Sequence, residues 1–293
     1  MSRIICIMSD YRDYLNKTKL HNNTIRKRRR RRFMFGIVLS AVLVFGIVFG
    51  HESISGEFNC AGVGEVMDVI SSAVSQIGDR KLPIYSVETS ENKIALSFDA
   101  AWGAEDFQNI MDVLDAHDVK VTFFMTGGWV NDNPDCVREL VDKGHELGNH
   151  SEHHYDMTTI SKDEMKTEIM NVHDAVKELT GYEMHVFRPP YGAYNNELID
   201  MAYSCDYYPI EWSVDSLDWK NYGVQPIIDT VCNHKELGGG AIILCHNGAK
   251  YTAQALDELL NNLEGKGYTI VPVSELIMTE NYHMDANGRQ IAD

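Results

Sequence analysis

The chain has 293 residues, of which 44% are hydrophobic, enough for the core of one large domain or two small ones. Its net charge of −17 is unevenly spread: residues 1–32 hold eleven Lys and Arg against two Asp, whereas residues 51–293 hold 15 basic and 41 acidic side chains. A body this acidic repels phosphate backbones, which argues against nucleic-acid binding. The six cysteines form no Cys-x-x-Cys pair, which argues against a disulfide framework or a thiolate zinc site.

The N-terminal segment has the pattern of a membrane anchor. The basic run RKRRRRR at residues 26–32 is followed by 18 uncharged residues at 33–50. As a helix these would span about 27 Å at roughly 1.5 Å per residue, close to the hydrocarbon thickness of a bilayer. The basic flank predicts that the N-terminal side is cytoplasmic. A cleaved signal peptide is the alternative, but the 32-residue leader is long and no A-x-A site follows, so we expect an uncleaved single-pass anchor in the cell membrane with the body outside.

Beyond this anchor, residues 51–90 are predicted to form a stalk, residues 91–279 the folded domain and residues 280–293 a C-terminal tail. Within the domain, apolar runs alternate with amphipathic segments, and Ser161 with Glu164 has the capping-box pattern of a helix start. The predicted strands cover residues 94–98, 119–125, 186–187, 210–214, 241–245 and 268–272. The predicted helices cover residues 107–116, 134–143, 162–179, 197–203, 225–232 and 252–266. This alternation indicates a parallel sheet, either open or closed into a barrel.

Residues with catalytic chemistry follow the predicted strands. Asp99 lies in SFDAAWG, where its carboxylate suits a catalytic base, a metal ligand or a helix N-cap. His150 and His154 are spaced i, i+4 in HSEHH. The two imidazoles meet on one face if the turn is helical, which suits Zn²⁺ or a similar ion. Solvated surface histidines are the alternative.

Three further stretches continue this pattern. In RPPYG, two prolines stiffen the backbone and remove two N–H donors, so the next amide donor is that of Tyr191, a candidate for binding an oxyanion. Arg188, before the prolines, can hold a carboxylate through its guanidinium fork. A rigid turn with no catalytic role is the alternative. DSLDW at residues 215–219 and His246 also follow strands, and a carboxylate beside His246 would set the tautomer and basicity of its ring.

In this order the motifs resemble the polysaccharide deacetylase family, the NodB homology domain of carbohydrate esterase family 4, over about residues 93–277. The resemblance implies an α/β fold, a distorted (β/α) barrel, and removal of acetyl groups from glycans such as peptidoglycan, chitin or xylan. It assigns a role to each matching position: Asp99 as the base that activates water, Arg188 as the residue that holds this base, His150 and His154 as metal ligands, Tyr191 as the backbone donor to the oxyanion, Trp219 as a wall of the substrate groove, His246 as the general acid, and Asp218 as the carboxylate that tunes this acid.

The first motif departs from the family pattern. The family usually has TFDDG, whose second aspartate is a metal ligand, whereas this chain has Ala100 at that place. The departure resembles the sporulation-associated PdaB-like branch. The resemblance therefore implies a divalent metal, Zn²⁺ with Co²⁺ or Mn²⁺ as alternatives, weakly held by two histidines.

The sequence thus predicts a membrane-anchored, metal-assisted deacetylase that acts on the N-acetyl groups of cell-wall glycan, on GlcNAc or MurNAc of peptidoglycan. One alternative is a glycan-binding protein on the same fold that has lost activity together with the carboxylate at position 100. Another is an O-acetyl esterase acting on a different polysaccharide.

Overall fold

The computed structural model describes residues 80–293, and a parallel sheet forms their centre. The strands of the described residues are β1 (Ser86–Val87), β2 (Lys93–Ala100), β3 (Thr122–Met125), β4 (Glu146–Asn149), β5 (Val186–Phe187), β6 (Tyr208–Pro209), β7 (Val214–Asp215), β8 (Ile242–His246), β9 (Thr269–Val271), β10 (Tyr282–Met284) and β11 (Arg289–Ala292). The helices are α1 (Phe107–Ala116), α2 (Gly127–Asp132), α3 (Pro134–Asp142), α4 (Lys162–Thr180), α5 (Asn196–Ser204), α6 (Val224–Cys232), α7 (Thr252–Gly265) and α8 (Val273–Leu276).

The eight-stranded sheet has the order β6-β5-β4-β3-β2-β8-β7, and β9 pairs with the first half of β2. All of its pairings are parallel, so the carboxyl ends of the strands lie at one edge. The register places Asp99 directly beside His246 on β8 and beside Phe124 on β3. Polar residues that are far apart in the chain therefore meet at the edge where parallel α/β folds bind ligands.

Strand β2 is buried on both faces, as expected for a central parallel strand. Ile94, Leu96, Phe98 and Ala100 belong to the larger apolar cluster, which includes residues of α1, α2 and α4. Because side chains alternate along a strand, Asp99 points to the opposite face from these four.

Several predicted elements are present with nearly the predicted bounds. Helix α1 matches residue for residue, and α4 begins with the predicted capping box, in which Ser161 accepts a hydrogen bond from the Glu164 N–H. Of the predicted strand 210–214, only Val214 lies in a strand, β7, because β6 already ends at Pro209. The chain leaves β6 at Ile210, which bridges to Ile84, before it reaches β7.

The folded domain extends beyond the predicted bounds of 91–279 at both ends. Ile84, in the predicted stalk, is fully buried, and β1 pairs with β11 from the predicted tail. These strands are too short to show a hydrophobic period in the sequence. Within residues 80–293 no helix is long and apolar enough to cross a membrane. The predicted anchor at 33–50 lies outside the described residues.

Candidate active site

The buried ion pair of Asp99 and Arg188 occupies the centre of the site. The Arg188 side chain is fully buried, and its Nη1 donates to Asp99 Oδ1 at 2.7 Å. Its Nη2 donates to Ser97 Oγ at 2.9 Å, and the guanidinium carbon lies 4.0 Å from the centre of the Phe124 ring. A buried charge is tolerated when it is paired and hydrogen-bonded in this way. The pairing fixes one oxygen of Asp99 and leaves Oδ2 facing the histidines.

His150 and His154 meet in a tight loop and not in the helical turn considered from their spacing. Ser151 and His154 have φ values of 66° and 57°, which no helix contains. Asn149 Oδ1 accepts from the Ser151 N–H at 2.9 Å, and Ser151 Oγ accepts from the His154 N–H at 3.0 Å. This loop brings the Nε2 atoms of the two imidazoles to 3.1 Å from each other.

The pair of imidazoles fits part of a metal site. His150 Nδ1 donates to the Arg188 carbonyl at 2.7 Å, and burial lowers the pKa of His150, so a neutral ring keeps its lone pair on Nε2. Two tetrahedral zinc ligands at about 2.05 Å from the ion would be about 3.3 Å apart, near the observed 3.1 Å. Asp99 Oδ2 lies 3.4 Å from His150 Nε2. Within residues 80–293, however, no three His, Cys, Asp or Glu side chains form a complete metal-binding group.

His246 and Asp218 form the second buried pair. His246 Nδ1 donates to Asp218 Oδ1 at 2.7 Å, and Asp218 Oδ2 accepts from the His246 N–H and from Thr252 Oγ1, both at 2.7 Å. Burial alone would lower the pKa of His246, but the Asp218 carboxylate outweighs it and raises this pKa to about 9. His246 is therefore an imidazolium at neutral pH, with Nε2 carrying a proton that it can donate.

This pair predicts a pH dependence of stability. The pKa of His246 is raised from 6.5 to about 9. Protonated His246 therefore stabilises the folded state fully below pH 6.5, and this stabilisation is lost as the pH rises toward 9. The pKa of Asp218 is lowered from 3.8 because its interactions with His246 outweigh burial, so its contribution is lost only at more acidic pH. In urea unfolding, the parent should have a higher free energy of unfolding than Asp218→Asn. The difference should be largest between pH 3.8 and pH 6.5 and should become smaller toward pH 9. A gap that stays constant up to alkaline pH would contradict the assigned charge of His246.

Tyr191 and Trp219 lie beside these pairs. Tyr191 has φ 64° within the 3₁₀ turn Pro190–Gly192, and its ring meets the His154 ring edge-on with centroids 4.5 Å apart. Trp219 is half-buried, and its N–H donates to Asp218 Oδ1 at 2.8 Å. The structure thus brings all eight of the predicted site residues to the same edge of the sheet. Their roles in catalysis stay predictions.

Sequence reasoning missed two residues of this site. The Trp102 ring lies 6.0 Å from the His154 ring and 6.2 Å from the His246 ring, between centroids. Its place three residues after Asp99 in SFDAAWG was a usable signal. Glu211 is buried, and burial raises its pKa to about 8. No hydrogen-bond partner for Glu211 Oε1 is found among residues 80–293. Glu211 lies inside the predicted strand 210–214, so its sequence position carried no sign of a polar role.

Comparison with known proteins finds deacetylases among those that this chain is similar to. Residues 86–210 match the family model for polysaccharide deacetylase. The peptidoglycan-N-acetylmuramic acid deacetylase PdaA of Bacillus subtilis is 34% identical over 197 residues, which are 66% of this chain and 74% of PdaA. The peptidoglycan-N-acetylglucosamine deacetylase PgdA of Listeria monocytogenes is 36% identical over 201 residues, 67% of this chain and 41% of PgdA.

Solved structures with the same fold include both an enzyme and a pseudoenzyme. The structure of Bacillus subtilis PdaA, a family 4 carbohydrate esterase, superposes with a TM-score of 0.62 at 31% identity, covering 71% of this chain and 88% of PdaA. Wild-type BA3943 of Bacillus anthracis, described as a CE4 family pseudoenzyme, has a TM-score of 0.63 at 30% identity, covering 72% of this chain and 70% of BA3943.

Proposed function

Because the chain belongs to the polysaccharide deacetylase family, we propose that it is a membrane-anchored, metal-assisted enzyme that removes N-acetyl groups from peptidoglycan. Two predictions from the sequence are confirmed by the relatives: the family, and the class of enzyme, a carbohydrate deacetylase. The names of PdaA and PgdA support peptidoglycan as the substrate. One observation carries the proposal, the convergence of three side-chain pairs at one sheet edge: Asp99 with Arg188, His150 with His154, and His246 with Asp218.

The geometry supports a general acid–base mechanism. Asp99 Oδ2 takes a proton from water while Arg188 holds Oδ1, and the water oxygen attacks the acetyl carbon. A divalent ion bound by His150 and His154 would polarise the acetyl carbonyl and make the water more acidic. The Tyr191 N–H donates to the carbonyl oxygen as the carbon becomes tetrahedral. His246 then protonates the sugar nitrogen through Nε2, the C–N bond breaks, and acetate and a free amine leave.

A glycan-binding protein without activity is the second candidate. Ala100 supplies no metal ligand, and the chain is similar to the BA3943 pseudoenzyme. The intact hydrogen bonds of Asp99 and His246 favour the enzyme, because binding alone has no need for a buried base and a buried acid.

Acetate release separates these candidates. Full-length protein in membranes should release acetate from muropeptides, and faster with added Zn²⁺ or Co²⁺, as measured by mass spectrometry of the glycan. Asp99→Asn is the matched control, because it keeps the shape of the base but removes its charge. Glycan binding without acetate release under any metal would leave the binding protein as the function. If acetate is released only from O-acetylated polysaccharide and not from muropeptides, the protein is an O-acetyl esterase.

The anchor is tested by its topology. The basic run at 26–32 and the apolar segment at 33–50 support a cytoplasmic N-terminus and an external domain. We expect protease added to intact cells to degrade the domain while an N-terminal tag survives. A domain that stays protected until the cells are lysed would contradict the proposed location.

A further inference from the structure

The turn that follows β7 is built on the same carboxylate as the general acid. Asp218 Oδ1 accepts from His246 Nδ1 at 2.7 Å and from the Trp219 N–H at 2.8 Å. The Asp218 carbonyl accepts from the Asn221 N–H at 3.0 Å, which closes the 3₁₀ turn Asp218–Lys220. The backbone that follows Asp218 is therefore held next to the His246–Asp218 pair.

Backbone conformation supports a functional reason for this turn. Leu217 and Asn221, on either side of it, have φ values of 56° and 55°, in the left-handed region. A leucine in this region costs about 1 kcal/mol or more, and such residues cluster at ligand sites. In spite of this cost, the turn and the residue after it carry two aromatic side chains and one cation within four positions: Trp219, Lys220 and Tyr222.

The surface of the turn combines aromatic rings with an accessible cation. Lys220 Nζ lies 5.0 Å from the centre of the Trp219 ring and 6.0 Å from that of Tyr222, whose residue surface is 70% exposed. Within residues 80–293, nine Lys and Arg side chains form ion pairs with carboxylates, and Lys220 is not among them. Its ammonium lies beside the rings. It also acts on the buried Asp215 carboxyl, where it opposes the rise in pKa that burial causes, but it forms no ion pair there.

The charge of the domain makes this cation significant. Residues 80–293 contain 15 basic and 36 acidic side chains, a net charge of 15 − 36 = −21. The negative potential of such a domain repels an anionic polymer unless a positive side chain attracts it locally. In an N-acetylmuramyl sugar, a lactyl ether on O3 neighbours the acetamide on C2 and carries a carboxylate or a peptide with carboxylates of its own. Lys220 follows by two positions the Asp218 that pairs with the acid, so its cation is well placed to meet a group next to the C2 nitrogen.

We propose that Trp219, Lys220 and Tyr222 form a carboxylate-binding subsite that selects glycans bearing an acidic substituent next to the reacting acetamide, as N-acetylmuramyl units do. The sugar stacks on the aromatic rings, and Lys220 pairs with the carboxylate. The inference rests on the proposed deacetylase function and names the substrate class of the same site.

The test compares two glycans of equal length, one containing MurNAc with its free lactyl carboxylate and one a neutral GlcNAc oligomer. In Lys220→Gln full-length protein, we expect the ratio of kcat/KM for the acidic glycan to that for the neutral glycan to fall about tenfold, the worth of one charge-assisted contact. Lys220→Arg should retain most of the ratio. Lys235→Gln is the matched control, because Lys235 has an 85% exposed side chain and lies before β8, at the opposite edge of the sheet.

A binding measurement separates this inference from the proposed function. Calorimetric Kd values for the same two glycans in the Asp99→Asn background need no turnover, and adding Lys220→Gln there should weaken binding of the acidic glycan selectively. If neither glycan releases acetate but this selective loss persists, the deacetylase function fails and the subsite stands. An unchanged ratio of affinities, or an equal change caused by Lys235→Gln, overturns the subsite.

Discussion

Replacement of His246 by alanine should lower kcat by about 100-fold or more, the usual range for a general acid. The raised pKa of His246, about 9, keeps the ring protonated at neutral pH, and no other protonated imidazole lies against Asp218 in the described residues. Substrate binding should change little, because the proton is needed only when the C–N bond breaks. The measurement is steady-state acetate release, with calorimetric binding of the same glycan.

Two companion variants make this result interpretable. His246→Gln keeps a side chain that can donate to Asp218 but supplies no acid, so it should be as slow as His246→Ala while folding more stably. His283→Ala removes a histidine with a 60% exposed side chain that pairs with Asp293 in the β10–β11 region, and it should have the parent rate. Equal rates in His246→Ala and the parent would remove His246 from the mechanism.

Ala100→Asp should have the largest effect on stability. Ala100 is fully buried in the apolar cluster with Phe98, on the face of β2 opposite Asp99. A carboxylate there must turn out of the cluster toward the histidines, and without a metal it is a buried charge next to Asp99. We expect a loss of about 3 kcal/mol in the free energy of unfolding without metal.

Zinc should recover much of this loss, because an anionic third ligand attracts the ion. Thermal melts with Zn²⁺ and with chelator should therefore differ more in Ala100→Asp than in the parent, and titration calorimetry should show tighter zinc binding. Ala100→Asn, with nearly the same shape but no charge, should lose stability without this recovery. If the parent already binds zinc at nanomolar strength and Ala100→Asp adds nothing, another residue completes the site, with Asp99 and Glu152 the first to examine.

The sequence by itself determined the alternation of strands and helices and the family. Helix α1 and the capping box of α4 follow from local rules, namely apolar period and the reach of Ser161 to Glu164. The family follows from the order of five motifs, each placed after a strand. Parallel strands align their carboxyl ends, so this placement already predicted that the motifs would converge.

Only the tertiary structure decided the contacts between these motifs. The register that places Asp99 beside His246, the 3.1 Å between the two imidazoles and the burial of Glu211 depend on strand pairings and loops that no local pattern encodes. Ala100 is instructive: its identity was visible in the sequence, but its burial among apolar side chains depends on which face of β2 the helices cover. Short strands such as β1 and β11 are held by their partners from the far end of the chain, and their own sequences are too brief to show it.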